Sequence, residues 1–226
     1  MTGEGALLAV EHLSSWYGEA QVLWDVSLTV GAGEGVGIVG RNGAGKSTLL
    51  RTIAAIHRRA EGSARFLGHD ILGRPPHQVA RLGLSIVREG APVFAELSVI
   101  ENIRLGQHLA RLRNVEPVDL DELWTIFPAL EAMSGRQAGQ LSGGQRQMLA
   151  LATALASAPK LLLLDEPSAG LAPEAAATAF EAIEHLRRTG LSVLIAEQNL
   201  EWLAGVATRH LELESGRTVA PARSGS

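Results

Sequence analysis

Apolar residues with polar interruptions run through Leu7 to Leu13 and again through Val22 to Val30. This pattern predicts strands of a half-exposed antiparallel sheet. Short continuous apolar runs then recur at Gly35 to Val39, Leu84 to Val87, Leu161 to Leu164 and Ser192 to Ala196, bounded by turn signals or charge. Runs of this kind predict parallel strands buried on both faces. Helical periodicity lies between them, over Lys46 to Ile56, Gly143 to Ser157 and Pro173 to Arg188. The last of these opens on Pro173-Glu174, good first-turn residues, and stops at Gly190. The stretch from Ala91 to Gln140 differs, with two helical patterns (Ser98–Arg113 and Asp119–Met133) and no convincing strand.

The expected architecture is therefore an α/β core carrying an antiparallel β subdomain and an inserted helical subdomain. Residues 1–90 supply the first part of the core with the antiparallel subdomain, 91–140 the helical lobe, and 141–214 the second part of the core. Residues 215–226 are small and polar and predict a fraying tail.

Composition narrows the function classes. At 226 residues, 46% hydrophobic and 19% charged, the chain can bury a sizeable core and is not of disordered composition. Net charge is −4 and the only basic block is His57-Arg58-Arg59, which is too sparse for a nucleic-acid footprint. There is no cysteine, so disulfide and thiol chemistry are excluded. The longest apolar segment, Met148 to Ala158, is broken by Thr153 and Ser157 and falls short of the roughly 20 residues of a membrane span. Met1-Thr2-Gly3-Glu4-Gly5 lacks the basic start and apolar centre of a signal peptide. A role at a membrane would require another chain to supply the membrane part.

Three segments carry candidate chemistry. Gly40-Arg41-Asn42-Gly43-Ala44-Gly45-Lys46-Ser47-Thr48 matches the phosphate-binding loop, with a predicted strand before it and a helix after it. Its glycines allow successive backbone N–H groups to face phosphate oxygens, and the helix presents its positive end to the anion. Lys46 would reach the β- and γ-phosphates and Ser47 would ligate Mg²⁺. Leu161-Leu162-Leu163-Leu164-Asp165-Glu166 delivers two carboxylates at the edge of a buried strand, where ligands sit in open α/β sheets. Asp165 is the metal candidate, through a water, and Glu166 the general base. Leu141-Ser142-Gly143-Gly144-Gln145 combines an N-cap with two glycines that leave N–H groups open. One γ-phosphate does not need two such cradles in one chain, so the second would serve ATP held by another subunit. The seven histidines are scattered without metal-ligand spacing.

With these motifs the chain, from Leu8 to Arg217, resembles the ATP-binding-cassette ATPase family, a P-loop NTPase fold. The resemblance implies ATP and Mg²⁺ as ligands, and Tyr17 as an aromatic that stacks on adenine. It also implies a head-to-tail dimer with a second ATPase subunit, membrane-spanning permease subunits, an indirect solute-binding protein, no nucleic acid, and a peripheral position on the cytoplasmic face of the membrane. In detail the chain looks like ATPase subunits of branched-chain amino-acid importers and the related urea importers. Glu89 stands where most cassettes have Gln, Gln198 where most have the switch His, and Ala172 where most have Asp. Glu89 would lie near the metal or its water, and Gln198 can donate to the γ-phosphate but cannot become cationic. Arg88 and Ala91-Pro92 depart from that subfamily's pattern. Two other functions fit the same motifs: a soluble cassette ATPase acting on ribosomes or DNA, and a slow nucleotide-binding regulator.

Overall fold

The computed structural model describes residues 5–90 and 92–219. Residues 1–4, Ala91 of the Ala91-Pro92 pair, and 220–226 of the expected tail lie outside the described residues. In chain order the elements begin with β1 (Leu8–Tyr17), β2 (Ala20–Val30), β3 (Gly35–Val39), α1 (Lys46–Ile53), β4 (Ala60–Phe66), β5 (His69–Asp70), α2 (Pro76–Leu82) and β6 (Leu84–Val87). The helical region follows as α3 (Val99–Leu112), α4 (Leu120–Ile126), α5 (Pro128–Glu131) and α6 (Gly143–Ala156). The chain then returns through β7 (Leu161–Asp165), α7 (Pro173–Arg188), β8 (Ser192–Glu197), β9 (Arg209–Glu214) and β10 (Arg217–Val219).

Two sheets organise these elements. A four-stranded antiparallel sheet has the order β2-β1-β4-β5, and a six-stranded sheet has the order β10-β9-β3-β8-β7-β6. In the larger sheet β6, β7, β8, β3 and β9 run parallel and only β10 is antiparallel. Because successive strand side chains point to opposite faces, the leucines of β7 divide between two cores. Leu161 and Leu163 pack with α1 and the antiparallel sheet, whereas Leu162 and Leu164 pack with the helical side. Strand β8 divides in the same way, with Leu194 and Ala196 on one side and Val193 and Ile195 on the other. These strands read as unbroken apolar runs because both faces are covered. All their C-terminal ends open on one edge, where β3, β7 and β8 each lead into candidate site residues.

The structure departs from the sequence expectation in places. The helix expected over 119–133 breaks at Phe127, whose backbone (φ −126°, ψ 64°) leaves the helical region. Pro128 crowds the residue before it out of that region, and the fully buried Phe127 ring anchors the break. The tail expected to fray from Ser215 instead forms β10 over its described part, paired with β9. There Gly216 is held between layers: its N–H donates to Ala44 O at 2.9 Å and its O accepts from Trp24 N at 2.8 Å. Helix α2 and strands β4, β5 and β9 had no expected counterpart.

Candidate active site

Strand β3 ends at Val39 and releases the loop 40–48 at the C-terminal edge of the sheet. Gly40 is required by close approach: a Cβ there would lie 2.3 Å from the carbonyl oxygen of Leu213 on β9. Gly45 is required by conformation, with φ 105° as the N-cap of α1. No side chain caps α1, so its first amides stay available to a ligand, as at an anion-binding helix terminus. Lys46 is almost wholly buried under the loop. Its Nζ donates to Gly40 O at 2.7 Å and to Arg41 O at 3.4 Å, and pairs with Glu166 Oε1 at 2.9 Å. A cleft of about 330 Å³ lies over these groups, lined by Val22, Asn42 to Thr48, Glu89 and Glu166. The loop, the base candidate and Glu89 therefore share one cavity. Glu89 itself is exposed.

Asp165 closes β7 and is fully buried. Ser47 Oγ donates to its Oδ1 at 2.7 Å, and an Arg51 guanidinium nitrogen stands 3.7 Å from Oδ2. Burial pushes the carboxyl above its ordinary pKa, against the opposing pull of Ser47 and Arg51. Oδ2 is buried without a hydrogen-bond partner, a costly state for an acceptor. The hard oxygens of Ser47 and Asp165, one of them orphaned, fit a Mg²⁺ ion bound through few protein ligands. Glu166 follows in the left-handed region (φ 47°), an uncommon conformation for a non-glycine residue. Its N–H is fixed to Ala196 O at 2.9 Å.

The remaining expected residues sit apart from this cleft. Ser142 is the N-cap of α6 with a complete capping box: Gln145 N donates to Ser142 Oγ, and Ser142 N to Gln145 Oε1 at 2.9 Å. A Cβ on Gly143 would meet open space and one on Gly144 only ordinary contacts, so the start of the helix is accessible. None of 142–145 lines the cleft around Lys46. Tyr17 ends β1, is half-exposed, and has its ring over that of His57 at 4.2 Å between centroids. Gln198 follows β8 and is exposed. Sequence reasoning missed Arg51 and Glu197. Arg51 was findable, since it lies four residues after Ser47 on the same helix face. Glu197 could have been noticed as a charged residue closing an apolar strand.

Comparison with known proteins places this geometry. A family model described as ABC transporter matches residues 23–169. The branched-chain amino acid transport ATP-binding protein BraG of Pseudomonas aeruginosa is 43% identical over 94% of this chain and 91% of its own length. The lipopolysaccharide export system ATP-binding protein LptB of Escherichia coli is 36% identical over 95% of this chain and 90% of its own. A solved nucleotide-free ATP-binding cassette from an ABC transporter superposes with TM-score 0.79 at 28% identity, covering 95% of this chain and 90% of that one. An ADP-bound conformation of such a cassette matches equally, at TM-score 0.79 and 28% identity. With its phosphate-type loop, its buried acidic strand end and these relatives, the chain belongs to the ABC transporter family of ATP-binding-cassette ATPases.

Proposed function

We propose that this chain is the ATP-hydrolysing subunit of an importer for branched-chain or other small amino acids, docked peripherally on the cytoplasmic side of a permease. One observation carries the catalytic part: Lys46, Ser47, Asp165 and Glu166 converge at one strand edge, with Lys46 pairing Glu166 and Ser47 donating to Asp165. In this reading residues 40–48 cradle the phosphates with Lys46 on the β- and γ-phosphates, and Tyr17 stacks on adenine. Ser47 and Asp165 hold Mg²⁺ with Glu89 beside them, and that ion supplies charge neutralisation on the phosphates. Glu166 orients and deprotonates the attacking water, while Gln198 donates to the γ-phosphate. Ser142, Gly143, Gly144 and Gln145 serve the nucleotide of a second cassette subunit, which accounts for their distance from the cleft around Lys46. As Gln198 cannot become cationic, a partner subunit with His at that position would hydrolyse faster.

The permease reading rests on a second cleft, about 410 Å³, where Ile56, Val93, Phe94 and Leu105 gather between core and helical lobe. Phe94 is 63% exposed. It is held outward because the buried Asn102 clamps its backbone, accepting from Phe94 N at 2.9 Å and donating to Phe94 O at 3.1 Å. Among the described residues no helix is long and apolar enough to cross a membrane. The amino-acid substrate class rests on likeness to BraG and on Glu89, Ala172 and Gln198.

The test is twofold. Lys46→Ala, titrated with Mg·ATP by calorimetry, should lose about 10-fold or more in affinity, the worth of a charged hydrogen bond. Unchanged affinity overturns the loop assignment. ATP-driven uptake into vesicles holding the assembled transporter should favour leucine, isoleucine or valine. Uptake of no small amino acid, with another class of solute carried, overturns the substrate class alone.

A further inference from the structure

Glu197 is the last residue of β8, level with Val39 of β3 across the sheet. It therefore stands between the loop 40–48 and the acidic end of β7. Its side chain is 2% exposed, and neither the cradle nor the metal site uses it. Both carboxylate oxygens are occupied: Oε1 accepts from Ser168 N at 3.0 Å and Oε2 from Gln198 N at 3.2 Å. Ser168 lies two residues beyond Glu166, and Gln198 is the switch position. On the other side of the same crossing, Glu166 N is fixed to Ala196 O. The loop that carries the base and the loop that carries the switch are thus joined across β7 and β8 by one buried carboxylate and one backbone bond.

We infer that Glu197 is a positioning residue for ATP hydrolysis, a buried clasp that fixes Gln198 relative to Glu166. The inference rests on the roles proposed above for those two residues. A carboxylate suits this place because two N–H donors converge on it and it offers acceptors to both. A glutamine of the same shape has one acceptor oxygen, and its NH₂ would confront an N–H, so one of the two loops would be released. Burying an anion here carries a cost, since burial raises the Glu197 carboxyl above its ordinary pKa despite the hydrogen bonds from Ser168 and Gln198. A group retained only to hold the fold would be better replaced by a neutral one. Placement of reacting groups accounts for keeping it, because misplacement by about 1 Å can cost on the order of 100-fold in rate.

The experiment uses the full chain and three substitutions, Glu197→Gln, Glu197→Asp and Gln198→Ala. For Glu197→Gln the expected result is a kcat about 10-fold lower with KM for ATP and melting temperature little changed. Glu197→Asp, which keeps both acceptors, should recover part of the loss. In a Gln198→Ala background Glu197→Gln should cost little more, because the clasp then has no switch side chain to place. Backbone hydrogen exchange, which needs no turnover, should quicken at Ser168 or Gln198 in Glu197→Gln and stay unchanged in α3. Wild-type kcat and exchange in Glu197→Gln would overturn the inference. So would a loss matched by a fall in melting temperature and equal in both backgrounds, which is the mark of a purely structural residue. Glu166→Gln separates the layers: if it turns over normally, the catalytic reading beneath has failed; if it is inactive while Glu197→Gln is not, only the clasp has.

Discussion

Replacing Glu166 with Gln should tighten ATP binding while abolishing most turnover. Lys46 is engaged by Glu166 at 2.9 Å in a pair whose side chains are 3% and 17% exposed. ATP must draw Lys46 away from that carboxylate and accept a negative neighbour in the same cleft. At 2.9 Å and an effective dielectric of 20, the Coulomb attraction is about 6 kcal/mol. The desolvation already expended on the pair and the hydrogen bond an amide oxygen can still accept offset most of this. A net gain of about 1–2 kcal/mol remains for the variant, or roughly 5- to 30-fold tighter binding. Calorimetric titration of both proteins with Mg·ATP reads the affinity, and phosphate release reads a kcat lower by about 10²–10⁴, the usual worth of a general base. Equal or weaker affinity in Glu166→Gln would refute the competition between carboxylate and nucleotide. Near wild-type turnover would move the base elsewhere.

Other expectations follow from particular contacts. Gly40→Ala should destabilise the protein by about 1–3 kcal/mol in urea melts and weaken ATP binding, since its methyl would meet the Leu213 carbonyl at 2.3 Å; native stability would mean the loop can give way there. Phe94→Asp should leave basal ATPase activity near wild type but uncouple transport in the assembled complex, because an exposed ring that only a partner would bury has been made anionic; normal transport places the docking surface elsewhere. Glu197 sets a pH dependence. Its folded-state pKa is raised above 4.5, so its stabilising contribution is complete below that value and is lost as pH rises through the folded value. Stability of wild type between pH 4 and 8 should therefore fall more steeply with rising pH than that of Glu197→Gln. Parallel curves would contradict this.

The parts legible in the sequence share one property: their pattern is local. The runs 161–164 and 192–196 read as buried strands because both faces are apolar, and α7 has the bounds its proline and glycine imply. The loop 40–48 and the pair Asp165-Glu166 were visible because their chemistry demands fixed spacing along the chain. Strand β4 (Ala-Glu-Gly-Ser-Ala-Arg-Phe) escaped notice because only Ala64 and Phe66 are buried, and Glu61, Gly62, Ser63 and Arg65 break any apolar run. Strand β9 escaped for a related reason, since most of its side chains are exposed and its place is set by pairing with β3. Distance in sequence hid the remainder. That Glu197 would meet Ser168, or that Gly40 would press on Leu213, follows from strand order, which no local window contains.

The contact of Gly40 with Leu213, together with the bonds from Gly216 to Ala44 and Trp24, bears on how the chain matures on the ribosome. The phosphate loop is translated well before Leu213 and Gly216, yet those residues form its outer wall. A nascent chain that has released residue 48 but not residue 216 holds the right sequence without the finished cradle. Nucleotide capture would then be a late event, coincident with the docking of β9 and β10, and chains cut short before Leu213 would be silent toward ATP.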